Sequence, residues 1–376
     1  MAHRLARDYC WGFDNGPEVF RYKIRPSLLP GSVMCDALER SSLRIGLFRF
    51  RLVPEQALEV PALNKGNMLR GGFGHGFRKL CCIPQCKDTK FCPLAATCPY
   101  KAVFEPSPPA GSERLGKNQD IPRPFVFRAP ETTQSCFQKG EVFEFGLILI
   151  GRAVDFLPYF VLSFRELASG GLGLNRARCT LERVEQAGVS ANAVEPGNYE
   201  AKLIYSSDNQ VLRGTESISM HDCLKSRMRE LHALNGDEST QHITIRFLTP
   251  TFLRADGEVV RRPDFHHVLK RLRDRINALC TFFGHGPVDV DFRALGERAE
   301  RVRTVSAEIQ WVERFRTSSK TRQRHELSGF IGEGTYEGEL REFLPWLALG
   351  EMVHAGKHTA WGGGRIEVLN LKLNQA

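Results

Sequence analysis

The chain has 376 residues, 42% hydrophobic and 25% charged, with a formal net charge of +9. Those proportions belong to soluble globular protein, the length suits two domains, and no run approaches the ~18–20 apolar residues of a membrane span. No apolar signal stretch opens the chain, so a cytoplasmic protein is expected, and the excess of cations favours a polyanionic partner.

Residues 1–40 form an N-terminal extension with one short candidate strand at Phe20–Ile24, broken by Pro26, Pro30 and Gly31. Ser42–Val53 alternates and is apolar on both faces, with Leu43, Ile45 and Leu47 on one side and Phe48, Phe50 and Leu52 on the other. That pattern predicts a strand. From Asn67 to Leu80, Leu69, Phe73 and Phe77 recur at helical spacing among glycines that leave room for close approach. His75 is two residues from both phenylalanines, about 200° round the helix, so it faces solvent or a ligand with Arg78 and Lys79. The glycines here are neither a P-loop nor a dinucleotide fingerprint.

Eleven cysteines are present, five of them between positions 81 and 98. In a reducing compartment that density points to metal rather than disulfides. Thiolates of Cys82, Cys86, Cys92 and Cys98 suit a tetrahedral structural zinc, with Cys81 an alternative to Cys82. Four sulfur ligands would leave no open position for catalysis.

Residues 106–124 read as a Pro-, Gly- and Ser-rich loop, 141–150 as a buried strand, 157–167 as a helix and 176–184 as a strand. The first domain therefore spans 41–185, with a linker at 186–200 and a second domain over 195–376. The second opens with scattered strands, the clearest at 242–248. A helix follows from Phe265 to Leu279 with Lys270, Arg271, Arg273 and Arg275 opposite its apolar face. Residues 298–324 are basic, and Arg314, Arg316, Lys320 and Arg322 interleave with Trp311 and Phe315 in a pattern that suits nucleic acid.

Near the end, a helix from Phe343 to Val353 runs into His354, Gly356, Lys357, His358, Trp361, Gly362, Gly363, Gly364 and Arg365, then a strand over 365–371. Glycines let backbone N–H groups approach an anion, the cations add charge, and Trp361 offers a stacking face. A weaker copy occurs earlier. Leu157-Pro158-Tyr159 leads through a helix to Gly170-Gly171-Leu172-Gly173, as Leu344-Pro345-Trp346 leads to the later glycines. The repeat suggests two similar domains.

Several motifs occur in a telling order: Leu69-Arg70-Gly71-Gly72-Phe73-Gly74-His75, the cysteine run to Cys98, Phe145-Gly146-Leu147, Gly171-Leu172-Gly173, Leu248-Thr249-Pro250-Thr251, Ser328-Gly329-Phe330 and Gly362-Gly363-Gly364-Arg365. Together they resemble the CRISPR-associated endoribonucleases of the RAMP superfamily that process precursor CRISPR RNA (the Cas-six type), over about residues 42–371. The resemblance implies an α+β fold of two tandem ferredoxin-like (RRM-like) domains, the first with a cysteine-rich metal-binding insertion at 81–100. It implies cleavage of CRISPR repeat RNA by 2′-hydroxyl attack, giving 5′-hydroxyl and 2′,3′-cyclic phosphate ends without a catalytic metal. The expected partners are repeat RNA and mature crRNA, other CRISPR effector subunits, and at most a second copy of the chain. His75 matches a frequent catalytic position, with Lys79 stabilising the intermediate and His354 and His358 as rivals. Arg78, Arg314, Arg316, Lys320, Arg322, His354, Gly356, Lys357, His358, Trp361, Gly362, Gly364 and Arg365 are the expected RNA contacts. The alternative is a non-catalytic RNA-binding subunit. A zinc-dependent hydrolase is disfavoured because no His-Glu-x-x-His is present.

Overall fold

The computed structural model describes residues 30–83, 86, 92–108, 121–188, 201–235, 242–317 and 324–369. The expected strand at 20–24, most of the 186–200 linker, and Lys320 and Arg322 lie outside the described residues.

Helix α1 (Pro30–Ser41) precedes strand β1 (Arg44–Pro54), which is central because both its faces are apolar. Ile45 and Leu47 are buried on one side, and Phe48, Phe50 and Leu52 on the other. Then follow α2 (Lys65–Cys81), β2 (Phe125–Arg128), β3 (Phe143–Ile150), α3 (Leu157–Gly170) and β4 (Cys179–Gln186). These make an antiparallel sheet in the order β2-β3-β1-β4. Strand β5 (Lys202–Ser206) pairs with β4, so the sheet draws in residues beyond position 185. Helices α2 and α3 cover one face through a phenylalanine cluster. The Phe73 ring stacks on Phe160 at 4.2 Å and on Phe77 at 5.0 Å.

Helix α4 (Met220–Asn235), in a segment whose sequence suggested only strands, leads to the second sheet. Its elements are β6 (His242–Thr251), α5 (Phe265–Phe283), β7 (Arg303–Val312), β8 (Gly329–Glu337), α6 (Leu344–Val353) and β9 (Ile366–Leu369). The strand order is β7-β8-β6-β9, again antiparallel. Each sheet thus belongs to a β-α-β-β-α-β unit with the first strand between the third and fourth. The two Leu-Pro-aromatic triplets open the equivalent helices α3 and α6, with proline in the first turn, where its missing N–H costs nothing.

The units share a core. Ala37 and Leu38 of α1 pack with Ile45, Leu47, Val126, Ile148 and Ile150 of the first sheet, in one apolar cluster with Leu224, Leu272, Leu347 and Val353. The second face of β1 is therefore covered by the other unit. Among the described residues no helix is long and apolar enough to cross a membrane.

Candidate nucleic-acid interface

The glycine loop begins where α6 ends. His354 takes φ +64°, an uncommon backbone state for a side-chain-bearing residue, and its N–H still bonds to the Gly350 carbonyl at 2.8 Å. The loop then folds back on itself. Ala355 N–H reaches the Gly364 carbonyl at 2.7 Å, Gly363 N–H that of His358 at 3.2 Å, and Gly364 N–H that of Pro250 at 3.0 Å. Lys357, Trp361 and Gly362 N–H groups donate to Phe252, His358 and Thr359, and Arg365 N–H donates to Thr249 Oγ1. Those amides are spent inside the fold. The expected cradle of free backbone N–H groups is not formed by them, and anion recognition falls to side chains. Gly356, Gly362 and Gly364 serve the turn: all have positive φ, and a Cβ on Gly364 would stand 1.8 Å from the Ala355 carbonyl oxygen.

His354 is fully buried, so it holds the loop rather than facing RNA. Its Nδ1 is 3.1 Å from the Gly363 carbonyl, and Arg128 Nε donates to its Nε2 at 3.4 Å. Both bonds need the neutral tautomer with hydrogen on Nδ1. Burial, then Arg128, pushes the imidazole well below its ordinary pKa, which secures that state. Arg128 also donates to the Glu351 carbonyl, while the Glu351 carboxylate pairs with Arg227 at 2.7 and 3.0 Å and accepts from Val368 N–H. A first-unit strand is thereby bonded to the end of α6.

Trp361 is the meeting point of the cations. Arg70 from α2 lies 3.9 Å from its ring centroid, Arg316 from the hairpin Phe315–Thr317/Arg324–Glu326 at 5.0 Å, and Arg123 at 5.9 Å. Arg70 is only 7% exposed and also lies 4.5 Å from the Phe104 ring. Burial, then Arg123 and Arg316, lowers its pKa to about 9. Among the described residues, Arg70 Nε, Arg314 Nε, Arg316 Nε and Trp361 Nε1 are buried without a hydrogen-bond acceptor. Among the described residues, Glu105, Glu131 and Glu326 supply balancing charge to Arg70, Arg314 and His358 respectively. Buried donors lacking acceptors are costly, and an entering phosphate would satisfy them. His358 packs edge-on to Trp361 at 5.6 Å and to Phe252 at 5.9 Å. Burial, Lys357 and Arg316 lower it to about 4, so it is neutral at pH 7.

The structure gathers Arg314, Arg316, Lys357, His358, Trp361 and Gly362 around this junction. Arg314, His358, Trp361 and Gly362 line one small pocket with the first turn of α2. His75 and Lys79 are exposed on α2, but His75 lies about 140° round the helix from Arg70 at 100° per residue, away from Trp361. Arg78 reaches instead to the Cys86 carbonyl at 3.2 Å. The thiol of Cys86 adjoins Cys92 and Cys82, while Cys81 adjoins Cys98. Among the described residues, no three His, Cys, Asp or Glu side chains come close enough together to hold a metal ion.

Sequence reasoning missed Arg70, Arg123, Arg128 and Arg275. It placed Arg275 opposite the apolar face of α5, yet Arg275 is 8% exposed. The available signal was position. Arg70 falls in the stripe Gly66, Phe73, Phe77, and Arg275 in the stripe Val268, Leu272, Leu279.

Residues 43–217 match a family model described as an N-terminal domain, and residues 245–366 match that of the CRISPR-associated endoribonuclease Cas6. Over those residues the second unit is similar to Cas6. An uncharacterized protein of Archaeoglobus fulgidus is 24% identical over 86% of this chain and 97% of its own length. Among solved structures, the Cas6-bearing chain of a partial Cas6-RT-Cas1–Cas2 complex aligns with a TM-score of 0.54 at 14% identity, covering 89% of this chain and 47% of that one. A Cas6 of Thermus thermophilus aligns with a TM-score of 0.47 at 16% identity, over 87% of this chain and 99% of that one. The Cas6 match begins inside β6 and ends at the start of β9, so it contains the whole glycine loop.

Proposed function

We propose that this chain binds CRISPR repeat RNA at the junction of its two units, read as a pair of ferredoxin-like domains, and cuts it to give mature crRNA. The observation that carries this is the set of buried guanidinium and indole donors around Trp361 that lack acceptors, next to the loop of the Cas6-like unit. A phosphodiester supplies the missing acceptors, and a base can stack on Trp361.

The chemistry is intramolecular. The ribose 2′-oxygen loses its proton, attacks the adjacent phosphorus and expels the 5′-oxygen, which takes up a proton. The products carry a 2′,3′-cyclic phosphate and a 5′-hydroxyl. His358, neutral and beside the cations, suits the proton-accepting role, and Arg70 and Arg316 suit the phosphorane charge. His75 with Lys79 would serve only RNA that crosses the opposite face of α2.

The test is incubation with the repeat RNA of its own locus in EDTA, with product ends mapped. Cleavage should persist in chelator and vanish when the ribose at the cut is 2′-deoxy. His358→Ala should slow it by about 10²–10⁴-fold, the usual worth of acid–base catalysis, with binding nearly retained. Loss in His75→Ala but not His358→Ala would move the chemistry to His75 and Lys79. Tight, salt-sensitive binding with no product would favour the non-catalytic RNA-binding reading. The structural zinc is tested by metal content: about one equivalent per chain supports a four-thiolate site, and none overturns it.

A further inference from the structure

A second cleft opens on the other side of the glycine loop. It has a volume of about 1140 Å³ and lies between α5, the segment 287–292, residues 121–123 and loop residues 356–361. That exceeds the ~300–1,000 Å³ typical of a small-molecule pocket and suits a short length of chain-like ligand. Its charged lining is mainly cationic: Arg123, Arg271, Arg275 and Lys357 against Asp274 and Asp289. Asp274 is already engaged, by Arg271 Nη2 at 3.2 Å and Arg273 Nη2 at 2.7 Å. Ile121, Pro122, Val288 and Val290 supply apolar wall.

Arg275 is the decisive group. It is 8% exposed and its Nε donates to the Val353 carbonyl at 2.7 Å, but its Nη2 is buried with no acceptor among the described residues. Burial lowers its pKa to about 9, and among the described residues no carboxylate counters that effect. A buried guanidinium at a cleft wall, left without a counter-charge, calls for an anion. The cleft shares His358 and Trp361 with the pocket at the first turn of α2.

We propose that this cleft holds a single-stranded stretch of RNA, the continuation of the strand anchored at Trp361, with a phosphate on Arg275 and bases against the apolar wall. The proposal rests on the RNA-binding reading above and adds a second contact region to it.

Binding of the repeat RNA to the full chain tests it, using the intact repeat and versions trimmed by a few nucleotides on either side of the cut. The unmodified chain should lose affinity about tenfold on trimming one side. Arg275→Gln and the cleft-filling Thr281→Trp should bind intact RNA about tenfold more weakly and no longer respond to that trimming. Arg275→Gln should also lower the slope of log affinity against log salt by about 0.7, the worth of one single-strand phosphate contact. Should Arg275→Gln fail to fold, Arg271→Gln supplies the slope measurement and Thr281→Trp the trimming measurement. Variants that melt like the unmodified chain, bind intact RNA equally well and remain sensitive to trimming would overturn the cleft proposal alone. No RNA binding by the unmodified chain would overturn the function as well.

Discussion

Arg70 and Arg275 break an elementary rule, since each buries a guanidinium in an apolar stripe with one nitrogen that lacks an acceptor among the described residues. Such a group lowers stability, so charge on a helix's apolar stripe is a candidate ligand contact. Arg70→Met should therefore act in opposite directions. Removing the buried charge should raise the melting temperature, while repeat-RNA affinity falls about tenfold or more, the usual cost of losing a specific contact. A fall in both quantities would mean that Arg70 is structural. His358 yields a second prediction. Its folded-state pKa of about 4 lies below the unfolded imidazole value of about 6.5. The unfolded chain thus binds more protons between those values. The resulting stability is complete above pH 6.5 and lost as pH falls towards 4, on the order of 3 kcal/mol. Chemical denaturation at pH 7 and 4.5 should show a smaller acid-induced loss in His358→Gln than in the unmodified chain. The residue types were legible in the sequence, but their roles were not. His75 met every positional criterion for a reactive histidine, and only the fold shows that it faces away from Trp361.

At the scale of the element, the glycine loop was legible as a special segment and misread in its workings. A run of glycines fits both a nest of free amides and a tight turn whose amides are consumed internally, and composition cannot separate the two. The separating facts are distant in sequence: the Pro250 and Phe252 carbonyls and the Thr249 hydroxyl, which take the loop's donors. Glycine substitutions should therefore differ sharply by position. Gly364→Ala needs positive φ and a Cβ 1.8 Å from a carbonyl oxygen, and should destabilise by more than about 2 kcal/mol through backbone strain and displacement of the loop. Gly71→Ala, exposed on α2 with nothing within 4 Å of its Cβ, should stabilise by roughly 0.5–1 kcal/mol. Equal effects in urea denaturation would contradict this account.

For the whole molecule, the internal repeat was legible as local structure, because each copy of Leu-Pro-aromatic opens a helix. The mutual dependence of the two units was not readable. The two apolar faces of β1 signalled that both sides are buried without naming the covering element, which proves to be α1, α4 and the second unit. Ile45, Leu47, Val126, Ile148 and Ile150 would keep only α1 from that cover in a fragment ending at residue 217, the limit of the first family match. Burying a large aliphatic side chain is worth about 1.5–3 kcal/mol, a large share of a domain's net stability. That fragment should therefore be poorly soluble, bind a hydrophobic dye and lack a cooperative melt, whereas the full chain melts in one transition. Arg128 sharpens the point. It bonds to the Glu351 carbonyl and to His354, so separating the units breaks two bonds of a buried cation as well as exposing an apolar face. Arg128→Leu in the full chain should spare the shared apolar core but release His354 and loosen the glycine loop. RNA affinity should then drop while the single melting transition persists at lower temperature, and a second, separate transition would show that the units are held together by that arginine rather than by their common core.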